Sequence, residues 1–118
     1  MALLNMSLMD AAIVCWDTKY YYCNPRPSQL NPAIKTLTGI PNFPAYISGH
    51  STFSGAAATI LGHIIPERAA AFSSMAQEAS MSRLYGGIHY KSDCLVGLTV
   101  GNNVGNYAIQ RAMTDGAE

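Results

Sequence analysis

The stretch HYKSDCLVGLTVGNNVGNYAIQRA, residues 89–112, decides how this chain folds. It carries no charge from Cys94 to Gln110 and reads as a helix from about His89 to Ala112. Gly97, Gly101 and Gly105 stand four apart, so they share one stripe of that helix, with Val96, Val100 and Val104 beside it. Each glycine inside a helix costs about 1 kcal/mol relative to alanine. Three on one face imply a compensating close contact with a second helix. A membrane dimer face uses the same spacing. Here Asn102, Asn103 and Asn106 make the segment too polar, and it is slightly too short, to cross a bilayer alone. The stripe therefore predicts close packing inside a soluble helical bundle.

Working outward, Ala2 to about Tyr22 reads as a first helix, apolar at Leu3, Leu4, Leu8, Ala11, Ala12 and Cys15. Asn24-Pro25-Arg26-Pro27 stops it, because proline lacks a backbone donor and pushes the preceding residue to extended geometry. From there to Ile47 the chain holds Pro32, Gly39, Pro41 and Pro44, and reads as a long ordered loop, a feature that usually carries function. A second helix starts near Ser48–Ser51 and runs to about Ile64. Pro66 suits the first turn of a third, Glu67 to about Leu84, which Gly86-Gly87 breaks. No segment alternates with the period of a strand. The reading is all-α, about four helices in one domain spanning residues 1–118.

Composition narrows the function. Hydrophobic residues are 49% and charged residues only 12%, against a usual charged share of about 25%. Lys+Arg and Asp+Glu are 7 each, giving zero net charge, and mean hydropathy is +0.10. That balance argues against nucleic acid as a partner, because such proteins carry a basic excess. Cys15, Cys23 and Cys94 are too few and odd in number for a disulfide framework, and no zinc-ligand spacing is present. They are expected to be small core residues. No signal-peptide pattern is visible at Met1. The expected setting is soluble, cytoplasmic, or periplasmic if a longer parent chain carries a leader.

Three blocks carry the chemistry. Lys19 is followed, after six residues, by Arg26-Pro27; next comes Ser48-Gly49-His50; last, Ser82-Arg83 is followed after five residues by His89 and after three more by Asp93. Lys19, Arg26 and Arg83 offer cations to an oxyanion, arginine as a planar bidentate donor and lysine as a point charge. Ser48 and Gly49 precede a helix, where free N–H groups and the macrodipole favour an anion. His89 and Asp93, four apart, share a helical face, so Asp93 can take one ring nitrogen and leave the other free. His50 lies on a different element and can act as general acid.

In order and spacing these blocks resemble the three-part signature of the type 2 phosphatidic acid phosphatase (PAP2) and vanadium haloperoxidase superfamily. One departure is Ile47, where the family usually has proline before Ser-Gly-His. The flanks Phe43-Pro44-Ala45-Tyr46 and Ser51-Thr52-Phe53 look like soluble haloperoxidase-type members. The short interval from His50 to Arg83 looks like compact phosphatases. The resemblance implies an acid-phosphatase-like phosphomonoesterase that needs no metal. In it His89 forms a phosphohistidine, Lys19, Arg26, Ser48, Gly49 and Arg83 hold the phosphate, and His50 and Asp93 complete the catalytic set. The alternative it implies is a vanadium-dependent haloperoxidase, with vanadate as cofactor on His89 and halide oxidised by peroxide. A non-catalytic helical fragment or interaction module is the reading from another class. The expected ligand is a small phosphate ester. Superfamily members surround the site with more than four helices, so this bundle is expected to be completed by a homo-oligomer or to be the C-terminal part of a longer chain.

Other residues read blandly. His63 suits a helix C-terminus. Ser82 is as well explained as a structural hydroxyl as a ligand. Tyr20, Tyr21, Tyr22 and Tyr85 serve as packing or as a pocket rim, and Lys35 and Lys91 as solvated charges.

Overall fold

The computed structural model describes residues 2–116. Its elements are α1 (Ala2–Tyr22), the single turn α2 (Pro27–Leu30), α3 (Gly49–Ile64), α4 (Ala69–Tyr85) and α5 (Lys91–Thr114). A 3-10 turn, Pro66–Arg68, links α3 to α4. Among the described residues there is no strand. The all-α expectation of four principal helices holds, with three shifts of boundary. The third helix starts at Ala69 and not Glu67, because Pro66 opens a separate tight turn. The long loop contains α2, where Gln29 Oε1 accepts from the Arg26 N–H at 2.6 Å and so closes the turn. The last helix starts at Lys91 and not His89, capped at Tyr90.

α3 is the central helix, with α5, α4 and α1 packed around it. The glycine stripe of α5 lies directly on α3. A Cβ at Gly97 would stand 2.8 Å from Ser51 Cβ and 2.9 Å from the Ser48 carbonyl oxygen; at Gly105 it would stand 2.7 Å from Thr59 Cβ. At Gly101 it would run into the Thr52 carbonyl. Gly55 of α3 reciprocates, its would-be Cβ 2.8 Å from the Leu98 carbonyl. Around α3 the core includes small side chains from every principal helix, Ala11 and Cys15 of α1, Ala56 of α3, Ala76 of α4 and Cys94 of α5. Buried hydroxyls stitch it further: Ser51 and Ser80 pair at 2.8 Å, and the Cys94 thiol donates to the Ser80 carbonyl.

The molecule measures 52 × 29 × 19 Å. Its least dimension is that of two helices laid side by side, at about 10 Å each. The outer face of α1 is consequently exposed, with Met6, Met9, Ile13 and Tyr20 in solvent. Among the described residues no helix is long and apolar enough to cross a membrane.

Candidate active site

The site lies where three chain segments meet: the end of α1 with α2, the loop leading into α3, and the turn between α4 and α5. Lys19 is fully buried in the last turn of α1. Its Nζ donates to three carbonyls of the incoming loop, Pro44 at 2.9 Å, Ala45 at 3.0 Å and Ile47 at 2.6 Å. An ammonium has three donors, so Lys19 spends all of them on backbone. It is not among the residues that line the pocket. Burial pushes its pKa down to about 8, with nearby Arg26 adding to the shift and Cys15 and Asp93 opposing it.

Arg26, also buried, works the same way. Nη2 donates to the Phe43 carbonyl at 3.1 Å and to Pro44 at 3.3 Å, and Nη1 donates to the Ile88 carbonyl at 2.8 Å. Nη1 also lies 3.0 Å from His89 Nε2. Burial lowers the pKa of this guanidinium as well, against the pull of Asp93.

His89 is held from its other side. Nδ1 lies 3.0 Å from Asp93 Oδ2, and the same oxygen accepts from the Tyr90 N–H at 3.0 Å. The two residues do not share a helical face, as their spacing had suggested. His89 precedes the helix, and Asp93, in its first turn, reaches back over the cap. One carboxylate thus caps α5 and fixes the imidazole. With the proton on Nδ1 facing Asp93, Nε2 presents its lone pair to Arg26. Burial lowers the His89 pKa, partly offset by the Asp93 hydrogen bond.

Ser48 is the N-cap of α3, its Oγ accepting from the Ser51 N–H. Its own N–H donates to the Asp93 carbonyl at 3.0 Å, which ties the start of α3 to the start of α5. Gly49 and His50 follow on the first turn. His50 sits at the pocket mouth, exposed, its pKa lowered first by partial burial and then by Arg83. Arg83, half-buried at the end of α4, donates from Nε to Ser82 Oγ at 3.0 Å.

A cavity of about 310 Å³ opens over this arrangement. Gly49, His50, Arg83 and His89 line it, while Lys19, Arg26, Ser48 and Asp93 stand behind its wall. The other wall is Trp16, Phe43, Phe53 and Ile88, with Thr38, Gly39 and Pro41 at the edge. Trp16 escaped the sequence reading, although it lies one helical turn before Lys19 on the same face. Tyr20, Tyr21, Tyr22 and Tyr85 are exposed, and none lines the cavity. Tyr22 instead packs edge-on against Tyr46, ring centroids 5.2 Å apart. His63 ends α3 as expected, outside the cavity lining. Cys15 and Cys94 are buried; Cys23, beyond the end of α1 with φ +50°, is exposed and not a core residue.

Comparison with known proteins agrees with the fold. A family model described as the PAP2 superfamily matches residues 1–114. A bacterial vanadium-dependent iodoperoxidase superposes with a TM-score of 0.83 at 31% identity, covering 92% of this chain and 31% of that one. A transmembrane PAP2-type phosphatidylglycerolphosphate phosphatase from Bacillus subtilis superposes with a TM-score of 0.78 at 15% identity, covering 97% of this chain and 59% of that one. The chain therefore spans under a third of the iodoperoxidase and about three fifths of the phosphatase. No curated protein sequence matches it.

Proposed function

The chain belongs to the PAP2 superfamily, and we propose that its pocket binds a tetrahedral oxyanion on His89 and hydrolyses phosphomonoesters through a phosphohistidine. The observation that carries this reading is the His89 imidazole: Nδ1 is fixed by Asp93 and Nε2 faces Arg26 at the pocket floor. A phosphoryl oxygen entering the pocket is a stronger acceptor for the guanidinium than a neutral imidazole. It takes over the Arg26 N–H and frees the Nε2 lone pair. Nε2 then attacks phosphorus in line, and the bond from phosphorus to the leaving oxygen breaks. His50 delivers its proton to that oxygen, and an alcohol departs. Water, giving its proton to His50, attacks the phosphohistidine and releases phosphate with His89 restored. Arg83 and the Gly49 N–H at the start of α3 face the equatorial oxygens as charge builds. Lys19 acts through the loop it holds.

A second reading has its own support, the 31% identity to an iodoperoxidase. The donor set fits vanadate equally well. His89 Nε2 would be its protein ligand, with Arg26, Arg83 and His50 donating to its oxygens. Bound vanadate supplies peroxide activation for halide oxidation.

The deciding experiment is phosphate release from an aryl phosphate, titrated with vanadate, on the wild type and on His89→Ala. Hydrolysis that vanadate inhibits and the substitution abolishes supports the first reading. No hydrolysis, with iodide oxidation by the vanadate-loaded protein, replaces it with the second.

A further inference from the structure

We propose that the ester group this pocket accepts is a flat aromatic ring, seated against Trp16, Phe43 and Phe53. The inference rests on the reading that the polar wall takes the phosphoryl group, and adds what the rest of the substrate is. The cavity has two chemically distinct sides. Gly49, His50, Arg83 and His89 form one; Trp16, Phe43, Phe53 and Ile88 form the other. The three aromatic rings make a continuous surface. Trp16 lies 5.2 Å from Phe43 and 6.1 Å from Phe53, centroid to centroid, at interplanar angles of 54° and 51°.

That surface is fixed from behind. Lys19 Nζ lies 5.2 Å from the Phe43 centroid and 5.9 Å from that of Trp16, and Arg26 Cζ lies 5.4 Å from Phe43. Cations within about 6 Å of a ring face are attracted to it, and both are themselves pinned by carbonyls. The rings therefore lose little freedom when a ligand arrives. Gly49 completes the seat: a Cβ there would stand 3.8 Å from Trp16 Cη2 and Cζ3, so the indole lies directly against the backbone whose N–H faces the anion. Ring and oxyanion subsites are adjacent.

Size and polarity narrow the class further. At about 310 Å³ the cavity is near the lower end for small-ligand pockets. A phosphoryl group and one ring fill it. Away from the polar wall, Thr38 brings the only side-chain hydroxyl of the lining. A polyhydroxylated leaving group would find only the Thr38 hydroxyl and the Trp16 indole N–H among the side chains there, too few partners for its hydroxyls. An aryl group loses nothing there and gains ring contacts.

Trp16 is the only tryptophan, so its fluorescence reports on this wall directly. The test titrates the protein with methylphosphonate and with phenylphosphonate, neither of which is hydrolysed, and measures both affinities by calorimetry alongside Trp16 emission. Phenylphosphonate is expected to bind roughly tenfold more tightly, the scale of a well-placed aromatic contact, and to perturb Trp16 emission where methylphosphonate does so weakly. Phe53→Leu and Trp16→Leu are each expected to shrink the phenyl-to-methyl ratio. Equal affinities in the wild type, or a ratio unchanged in both variants, overturn the aromatic seat while leaving the oxyanion site standing. Binding of neither compound removes the oxyanion reading and this one with it. The wild-type comparison decides even if a variant fails to fold.

Discussion

Substituting Gly101 with alanine sets two effects of known sign against each other. Alanine in mid-helix is favoured by about 1 kcal/mol over glycine, so an open site would be stabilised. Gly101 is not open. Its new Cβ would meet the Thr52 carbonyl first, then the Ala56 nitrogen at 2.9 Å and the Thr52 carbonyl carbon at 3.0 Å. All three are backbone atoms of α3, so no side-chain rotation relieves them. Non-bonded heavy atoms rest at about 3.5–4.0 Å, so α3 must withdraw by roughly 1 Å along a seam where Gly97 and Gly105 are also in close contact. Overpacking of this kind costs typically about 1–3 kcal/mol, and more when the backbone itself must move. With the upper end of that range set against the propensity gain, the net is a loss of about 2 kcal/mol. For a domain of this size that lowers Tm by about 10 °C. The assay is thermal unfolding followed by helical circular dichroism, with Gly39→Ala as control. Gly39 has nothing within 4 Å of its would-be Cβ, so that control should melt within a few degrees of the wild type. A Gly101→Ala protein melting at or above the wild type would refute the claim that the glycines exist for helix contact.

Two further outcomes are expected at the site. Asp93→Asn removes the carboxylate from His89 Nδ1 and from the Tyr90 N–H together. It should lower kcat/KM by about 100-fold, the upper end for lost partners of this kind; full activity would leave Asp93 as a cap alone. Arg83→Met tests the electrostatics of His50, whose pKa is lowered by burial and by Arg83. General acid catalysis needs the protonated imidazole, which is lost as pH rises through its pKa. Removing Arg83 raises that pKa, so the alkaline limb of the kcat/KM profile should move to higher pH even as overall activity falls, and an unmoved limb would show that His50 is not the acid.

The helices were legible because their signals are local. Pro25 and Pro27 end α1, Ser48 caps α3, Gly86-Gly87 ends α4, and the glycine stripe announced a helix contact before its partner was known. Features set by tertiary contact were not legible. Nothing near His89 marks the true start of α5, since its cap residue is Tyr90, a type with no capping preference. The loop before α3 is ordered by distant partners: the Leu37 N–H donates to the Gly86 carbonyl, and Gly87, with φ +74°, has the Lys35 carbonyl against it. The direction of the cations was hidden too. Spacing names Lys19 and Arg26 as a pair beside the oxyanion motif, but only the fold turns their donors onto carbonyls. The aromatic wall was not legible as a wall: Phe43 and Phe53 stand out only as flanks of Ser48-Gly49-His50, and nothing in the sequence places Trp16 beside them.

That inward turn of the cations bears on how the pocket works. Lys19 and Arg26 are buried, Arg83 is half-buried, and Asp93 is the one buried carboxylate among the described residues. Burying a charge is costly unless it is paired or well solvated by dipoles. Here the dipoles are supplied by carbonyls of Phe43, Pro44, Ala45, Ile47 and Ile88. Carbonyls offset desolvation but carry no net charge, so positive potential remains and is felt at the pocket floor behind His89. The lowered pKa of Lys19 comes first from its burial, with Arg26 adding to it. An anion bound there would meet that potential, and anything that binds the folded state alone stabilises it. The two cations are thus not divided between structure and recognition. By gathering the loop around themselves they set the positions of Gly49, His50 and Phe43, and by remaining undercompensated they leave a positive potential at those positions.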